Sequence, residues 1–113
     1  GGIKNAIKNC CEYIAKNKLD LKIIIEARNL NEVDKIIECG GINRILLDNF
    51  SIAETNKAVS IIKNEFKIES SGGITEKNIA NYANCGVDYI SVGCITHNVK
   101  SVDLSIVAIN EYN

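Results

Sequence analysis

Several residue types and motifs that define common active sites are missing from this chain. Among 113 residues there is no proline, no methionine and no tryptophan, and His97 is the single histidine. From this one histidine, placed late in the chain, we propose no Ser-His-Asp or Cys-His pairing. The single histidine and the lack of a Cys-x-x-Cys motif also argue against a zinc site. No Gly-x-Gly-x-x-Gly follows an apolar strand, so a dinucleotide-binding fold has no support.

Long apolar runs and a large net charge of either sign are missing as well. No stretch approaches the roughly 18 apolar residues of a membrane-spanning helix, and no signal peptide is visible. We therefore expect a cytoplasmic protein. The net charge of −1 argues against nucleic acid or a membrane surface as a partner. The five cysteines are expected to be reduced thiols in or near the core. Without a methionine, the chain is either processed at its start or part of a longer protein.

Hydrophobic periodicity predicts alternating helices and strands. Apolar spacing of three and four residues predicts helices at 3–17, 31–39, 51–64, 75–85 and 102–109. Apolar, β-branched runs predict strands at 21–27, 44–48, 66–70 and 87–92. A strand-helix repeat of roughly 20 to 25 residues is typical of a β/α barrel. The predicted fold class is α/β, a parallel TIM-like half-barrel formed by one domain over residues 1–113. The edge of its first strand would be exposed and would lower solubility.

Acidic and small residues fall at the predicted carboxyl ends of the strands, where β/α folds bind ligands. Two of these residues are acids, Glu26 and Asp48. Two further strand ends carry small residues that let a phosphate approach the backbone, and a helix beginning near Thr75 would add its positive dipole end. These small strand-end residues are Ser71, Gly72, Gly73, Val92, Gly93 and Cys94. The set predicts a site for a sugar phosphate or nucleotide phosphate, although each acid alone is also explained as a cap or surface charge.

Three other polar residues near this edge are open to more than one interpretation. Glu69 could orient a cationic ligand or pair with a lysine or arginine of a neighbouring strand. His97 is expected to form a hydrogen bond within a loop rather than to catalyse. Lys100 could neutralise a phosphate, but we expect it to be solvated.

Four motifs resemble one enzyme family over essentially the whole chain. They are Leu-Leu-Asp-Asn-Phe at 46–50, Glu-Ser-Ser-Gly-Gly-Ile-Thr at 69–75, Gly-Val-Asp-Tyr-Ile-Ser-Val-Gly at 86–93, and Thr-His at 96–97. In this order and spacing they resemble the carboxyl-terminal half of quinolinate phosphoribosyltransferase. The resemblance implies the last part of an incomplete α/β barrel that follows an α+β domain. It also implies assembly as a dimer or hexamer.

The resemblance also implies an activity and the roles of particular residues. The family joins quinolinate to phosphoribosyl pyrophosphate with Mg²⁺, releasing pyrophosphate and CO₂ to leave nicotinate mononucleotide in NAD synthesis. Glu26 and Asp48 match the catalytic positions that hold the ribose and its metal-bound pyrophosphate, with no direct metal ligand implied. The positions that bind the ribose 5′-phosphate correspond to Ser71, Gly72, Gly73, Val92, Gly93 and Cys94.

The chain departs from the family pattern in three respects. Ile24 stands where an acid is usual, and Cys94 stands where alanine is common. The family's cationic clamp for quinolinate lies upstream of the segment that matches Gly1, so we expect the isolated chain to have little or no turnover.

Three alternatives stay open at this point. One is the molybdenum-transport-associated paralogue of the same family. Another is a non-catalytic half-barrel that binds phosphate or assembles with a separate chain. An unrelated thiamine-phosphate or tryptophan-pathway barrel would not explain the motif at 46–50.

Overall fold

Helices and strands alternate along the chain in a computed structural model, which describes residues 2–92 and the backbone of residues 106–110. The elements are α1 Ile3–Lys16, β1 Leu21–Ala27, α2 Leu30–Cys39, β2 Arg44–Asp48, α3 Ile52–Ile62, β3 Lys67–Ser71, α4 Ile79–Ala83, β4 Tyr89–Ser91 and β5 Ile106–Asn110. Within the described part of the chain, no helix has the length and apolar character needed to cross a membrane.

All five strands form a single sheet in the order β4-β3-β2-β1-β5. Strands β1 to β4 pair in parallel, each beside its neighbour in the sequence. This arrangement confirms the prediction of a parallel α/β fold. The bounds of β1 and β2 agree with the predicted strands.

Local sequence explains where the helices begin and end. The Asn29 side chain accepts a hydrogen bond from the Glu32 backbone N–H and caps α2, which is followed by Gly40 with a φ of 61°. A capping box starts α3, in which Ser51 and Glu54 each accept a hydrogen bond from the other's backbone N–H. These caps satisfy N–H groups that have no partner within the helix.

The sheet has two chemically different faces. One face packs against the helices, and its side chains are buried in a continuous apolar cluster. From the strands this cluster contains Ile23, Ile25, Ala27, Ile45, Leu47 and Ile68, and from the helices it contains Ile7, Val33, Ile36, Ala58 and Ile62. The alternate residues of the strands point to the opposite face, which we call the open face. The open face carries Glu26, Arg44, Leu46, Asp48, Glu69 and Ser71.

The predicted helix over 75–85 is wrong in its bounds. Helix α4 contains five residues and begins at Ile79. Before it, Asn78 Oδ1 accepts from the Thr75 N–H at 2.7 Å, and Thr75 Oγ1 accepts from the Lys77 N–H at 3.2 Å. Residues 76–78 form a turn, and the Ile79 N–H donates to the Thr75 carbonyl at 2.9 Å, so the regular helix follows this turn.

The predicted helix over 102–109 is also wrong for the residues that the structure describes there. Residues 106–110 form β5, which pairs antiparallel with β1 from Leu21↔Asn110 to Ile25↔Ile106. The edge of β1 is therefore covered. The expectation of an exposed first edge was wrong, and a covered edge gives no reason to expect low solubility.

Candidate functional site

Asp48 ends strand β2 on the open face. Its side chain is half-buried, and its carboxylate makes no hydrogen bond or ion pair with any residue in the described part of the chain. In the sheet it lies beside Ser71, the last residue of β3. Asp48 is therefore available to a ligand at the carboxyl edge of the sheet.

Glu26 lies on the same face of the neighbouring strand β1. Its side chain is 11% exposed, and Glu26 Oε1 accepts from Arg28 Nε at 3.3 Å. Because Arg28 is 71% exposed, this ion pair holds Glu26 only weakly. Glu26 pairs in register with Leu46, so Asp48 lies one side-chain step nearer the carboxyl edge. Both acids predicted for the site thus lie on one face of adjacent strands.

The turn after β3, residues 71–74, is called here the glycine turn. Gly72 and Gly73 have φ angles of 85° and 68°, which favour glycine. A Cβ at Gly72 would lie 3.0 Å from the backbone nitrogen of Asn49. The Asn49 N–H also donates to the Ser71 carbonyl at 2.8 Å. The ends of β2 and β3 are therefore in direct backbone contact.

Three successive backbone N–H groups of the glycine turn have no acceptor. Within the described residues, the amides of Gly72, Gly73 and Ile74 donate no hydrogen bond. The next amide, that of Thr75, is occupied by Asn78. Free amides at a strand end can bind an anion. Because α4 begins only at Ile79, the expected helix dipole is not next to the turn.

The structure describes only some of the remaining residues that the sequence singled out. Val92 follows β4 directly and is half-buried. Gly93, Cys94, His97 and Lys100 lie outside the described residues. The four described cysteines are free thiols, namely Cys10, Cys11, Cys39 and Cys85.

Glu69 forms an ion pair, which was one of the two interpretations of its position. Arg44 Nη1 donates to Glu69 Oε1 at 2.8 Å, and Ser91 Oγ donates to Glu69 Oε2 at 2.6 Å. The Arg44 guanidinium also lies 3.8 Å from the centre of the Tyr89 ring. Both carboxylate oxygens of Glu69 therefore accept from neighbouring strands of the sheet.

Sequence reasoning missed three residues that organise this edge: Arg44, Asn49 and Asn78. Arg44 could have been found, because it precedes Leu46 and Asp48 at a spacing of two residues and so shares their face. Asn49 has a φ of 61°, a conformation that asparagine tolerates better than most residues. Asn78 Nδ2 donates to the Gly73 carbonyl at 2.9 Å, a contact that no sequence pattern indicated.

No preformed metal centre is found in the described part of the chain, where no three or more His, Cys, Asp or Glu side chains group around one point. A cavity of about 570 Å³ opens at the opposite end of the strands, lined by residues that include Arg44, Lys67 and Tyr89. It is separate from the edge that carries Asp48 and the glycine turn.

The family model for the C-terminal domain of quinolinate phosphoribosyl transferase matches residues 1–107. The chain belongs to this family. A probable nicotinate-nucleotide pyrophosphorylase (carboxylating) of Methanocaldococcus jannaschii is 44% identical over 93% of this chain and 38% of its own length. The chloroplastic nicotinate-nucleotide pyrophosphorylase (carboxylating) of Arabidopsis thaliana is 33% identical over 94% of this chain and 34% of its own length.

Solved structures of family members share the fold. The nicotinate-nucleotide pyrophosphorylase of Ehrlichia chaffeensis matches 96% of this chain with a TM-score of 0.75 and 37% identity. The enzyme of the same name from Francisella tularensis matches 96% with a TM-score of 0.73 and 33% identity. The chain covers 38% of each of these structures and about a third of the curated relatives' length.

Proposed function

We propose that this chain supplies the ribose-phosphate half of a quinolinate phosphoribosyltransferase site. The complete enzyme would join quinolinate to phosphoribosyl pyrophosphate and release pyrophosphate and CO₂, giving nicotinate mononucleotide. One observation carries the proposal. The free amides of Gly72, Gly73 and Ile74 lie at the same sheet edge as Asp48, whose carboxylate has no partner among the described residues. Amides suit a phosphate, and a carboxylate suits ribose hydroxyls.

In the proposed reaction, the glycine turn and the two acids at this edge have different roles. The glycine turn would hold the 5′-phosphate and so fix the ribose. Asp48 and Glu26 would face the ribose and favour the positive charge that develops at its anomeric carbon as pyrophosphate leaves. The quinolinate nitrogen attacks that carbon, and the adduct then loses CO₂. The half-buried setting of both acids strengthens this electrostatic effect relative to water.

Mg²⁺ fits this donor set as a companion of the substrate. Magnesium keeps several of its waters and is usually bound by one or two carboxylates together with substrate phosphates. Glu26 and Asp48 are two such carboxylates on adjacent strands, with no larger ligand group in the described residues. They would face the hydrated Mg²⁺ that phosphoribosyl pyrophosphate carries, with no direct protein–metal bond, and the ion would neutralise the leaving pyrophosphate.

The test is an isosteric exchange, Asp48→Asn, in the complete protein that contains this chain. We expect kcat/KM for nicotinate mononucleotide formation to fall by about 100-fold, because a charge that stabilises the transition state is removed. Asp34→Asn, an exposed position on α2, is the matched control and should leave the rate unchanged. An unchanged rate for Asp48→Asn would remove Asp48 from the site.

A second measurement separates the enzyme from a non-catalytic phosphate-binding module. The wild-type protein is incubated with quinolinate, phosphoribosyl pyrophosphate and Mg²⁺, and pyrophosphate release is followed. Binding of phosphoribosyl pyrophosphate without turnover in the complete protein would favour the module. The native mass of the same sample tests the proposed dimer or hexamer, and cell fractionation tests the proposed cytoplasmic location.

A further inference from the structure

Three side chains on the open face connect three adjacent strands. Arg44 of β2 donates to one oxygen of Glu69 on β3, at 2.8 Å. Ser91 of β4 donates to the other oxygen, at 2.6 Å. We call this set, Arg44, Glu69 and Ser91, the diagonal network. Glu69 is its centre and accepts from both neighbouring strands.

The network crosses the sheet diagonally toward the carboxyl edge. In register, Arg44 lies beside Lys67, two residues before Glu69. Ser91 lies beside Ser71, two residues after Glu69. Each strand therefore contributes a residue one side-chain step closer to the edge than the last. The network ends in the row that contains Asp48, Ser71 and Ser91, at the base of the glycine turn.

Net stability does not account for this arrangement. The side chains of Arg44 and Glu69 are 23% and 16% exposed, so both charges lose most of their contact with water. Replacing such a pair with apolar residues is often neutral or stabilising. β/α barrels usually fill the interior face of the sheet with branched apolar side chains. A charged pair there is better explained by the geometry that it fixes, since its hydrogen bonds are directional and link specific strands.

We propose that Glu69 is a positioning residue that holds the ends of β2, β3 and β4 in the alignment needed to bind phosphoribosyl pyrophosphate. This inference rests on the proposed function. Both of its oxygens accept from neighbouring strands, so the role proposed for Glu69 is an indirect one. It acts through Ser71 and the glycine turn, two residues further along β3, and through Ser91 at the end of β4.

The first test is Glu69→Gln in the complete protein. The amide keeps the size of the side chain but loses the charge that binds Arg44. We expect KM for phosphoribosyl pyrophosphate to rise by about 10-fold, since small displacements of binding groups have large effects. Both kcat and KM for quinolinate should change little, because a loss of uniform phosphate binding raises only the KM of that substrate. Glu12→Gln, on the exposed side of α1, is the matched control.

The second test, Ser91→Ala, removes one hydroxyl and leaves the Arg44–Glu69 pair intact. It should raise KM for phosphoribosyl pyrophosphate by about threefold, and its effect should not add to that of Glu69→Gln, because the two residues share one network. Ser60→Ala, at an exposed position on α3, is its control. If Glu69→Gln does not fold, the positioning role is tested by Ser91→Ala alone.

The outcomes separate this inference from the proposed function. A wild-type protein that forms no nicotinate mononucleotide overturns the proposed function, and the role of Glu69 with it. An active wild type whose variants keep KM for phosphoribosyl pyrophosphate within about twofold overturns the positioning role alone. Variants that lower only the thermal midpoint also overturn the positioning role, because that result describes a purely structural ion pair.

Discussion

The two faces of the sheet are made from alternate residues of the same strands, yet they serve opposite purposes. The helix-covered face is apolar, and Ile45 and Leu47 of β2 are fully buried there. The open face of the same strand carries Arg44 and Asp48, one paired and one free of any partner in the described residues. The apolar core is concentrated on one face, and the charged side chains of these strands lie on the other. The division can be tested by changing neighbouring residues that point in opposite directions.

The largest effect is expected for Leu47→Ala. Leu47 is fully buried in the core cluster, so truncation should lower the free energy of unfolding by about 3 kcal/mol through lost burial and a residual cavity. Leu46→Ala is the matched variant on the open face, where Leu46 is 9% exposed and lies outside that cluster, and should cost about 2 kcal/mol. Urea denaturation of both variants measures the difference. Equal losses would mean that the two faces contribute equally to stability.

A smaller effect on stability, with a large effect on binding, is expected for Gly72→Ala. A Cβ there combines a φ of 85° with a 3.0 Å approach to the Asn49 backbone, and should cost about 2 kcal/mol. Gly40→Ala is the control, because its φ is 61° but nothing lies within 4 Å of the added carbon. It should cost about 1 kcal/mol. Only Gly72→Ala should weaken the binding of phosphoribosyl pyrophosphate, as isothermal titration would measure.

The smallest effect is expected at the start of α3, away from the open face. Ser51→Ala removes a cap and should lower the free energy of unfolding by about 1 kcal/mol without changing KM for phosphoribosyl pyrophosphate.

Hydrogen bonds from the Ser51 backbone and then its side chain hold the pKa of Glu54 below its usual 4.5. Because the folded pKa is the lower one, this stability is present above the unfolded pKa and is lost as pH falls through the folded value.

Glu54→Gln tests that pH dependence directly. Thermal midpoints of the wild type and the variant are compared from pH 6 down to about pH 3, around the usual range of a glutamate. The variant should show a shallower decline below the usual pKa of 4.5. Parallel curves for the two proteins would show that the capping box does not contribute to acid sensitivity.

Much of the fold could be predicted from the sequence because its strands are apolar and β-branched. The runs at 21–27 and 44–48 gave the correct bounds, since buried parallel strands have few alternatives. Helix α4 could not be bounded in this way, because apolar periodicity does not distinguish the turn at 75–78 from the first turn of a helix. The error at 102–109 has a different cause: Ile106 to Ile109 is a short apolar run, and periodicity does not distinguish strand from buried helix at that length.

The candidate site was predictable in its composition but not in its detailed contacts. The positions of Glu26, Asp48 and the glycines followed from the rule that parallel strands present their carboxyl ends at one edge. The partner of Glu69 did not follow, because it depends on a register between β2 and β3 that the sequence does not specify. Which amides stay free depends likewise on Asn78, whose side chain occupies the Thr75 amide and leaves the preceding ones unbonded.

The pairing of β5 with β1 has a consequence for the order of folding. Leu21 lies opposite Asn110, so this pair closes a loop that includes almost the whole chain. The pairs between β1 and β2 or β2 and β3 join residues much closer in sequence and need far less loop closure. Contacts of long sequence separation form late and slow folding. Within this chain, β5 is the last strand of the sheet to be synthesised, so its pairing with β1 is expected to follow the pairing of β1 with β2 and of β2 with β3.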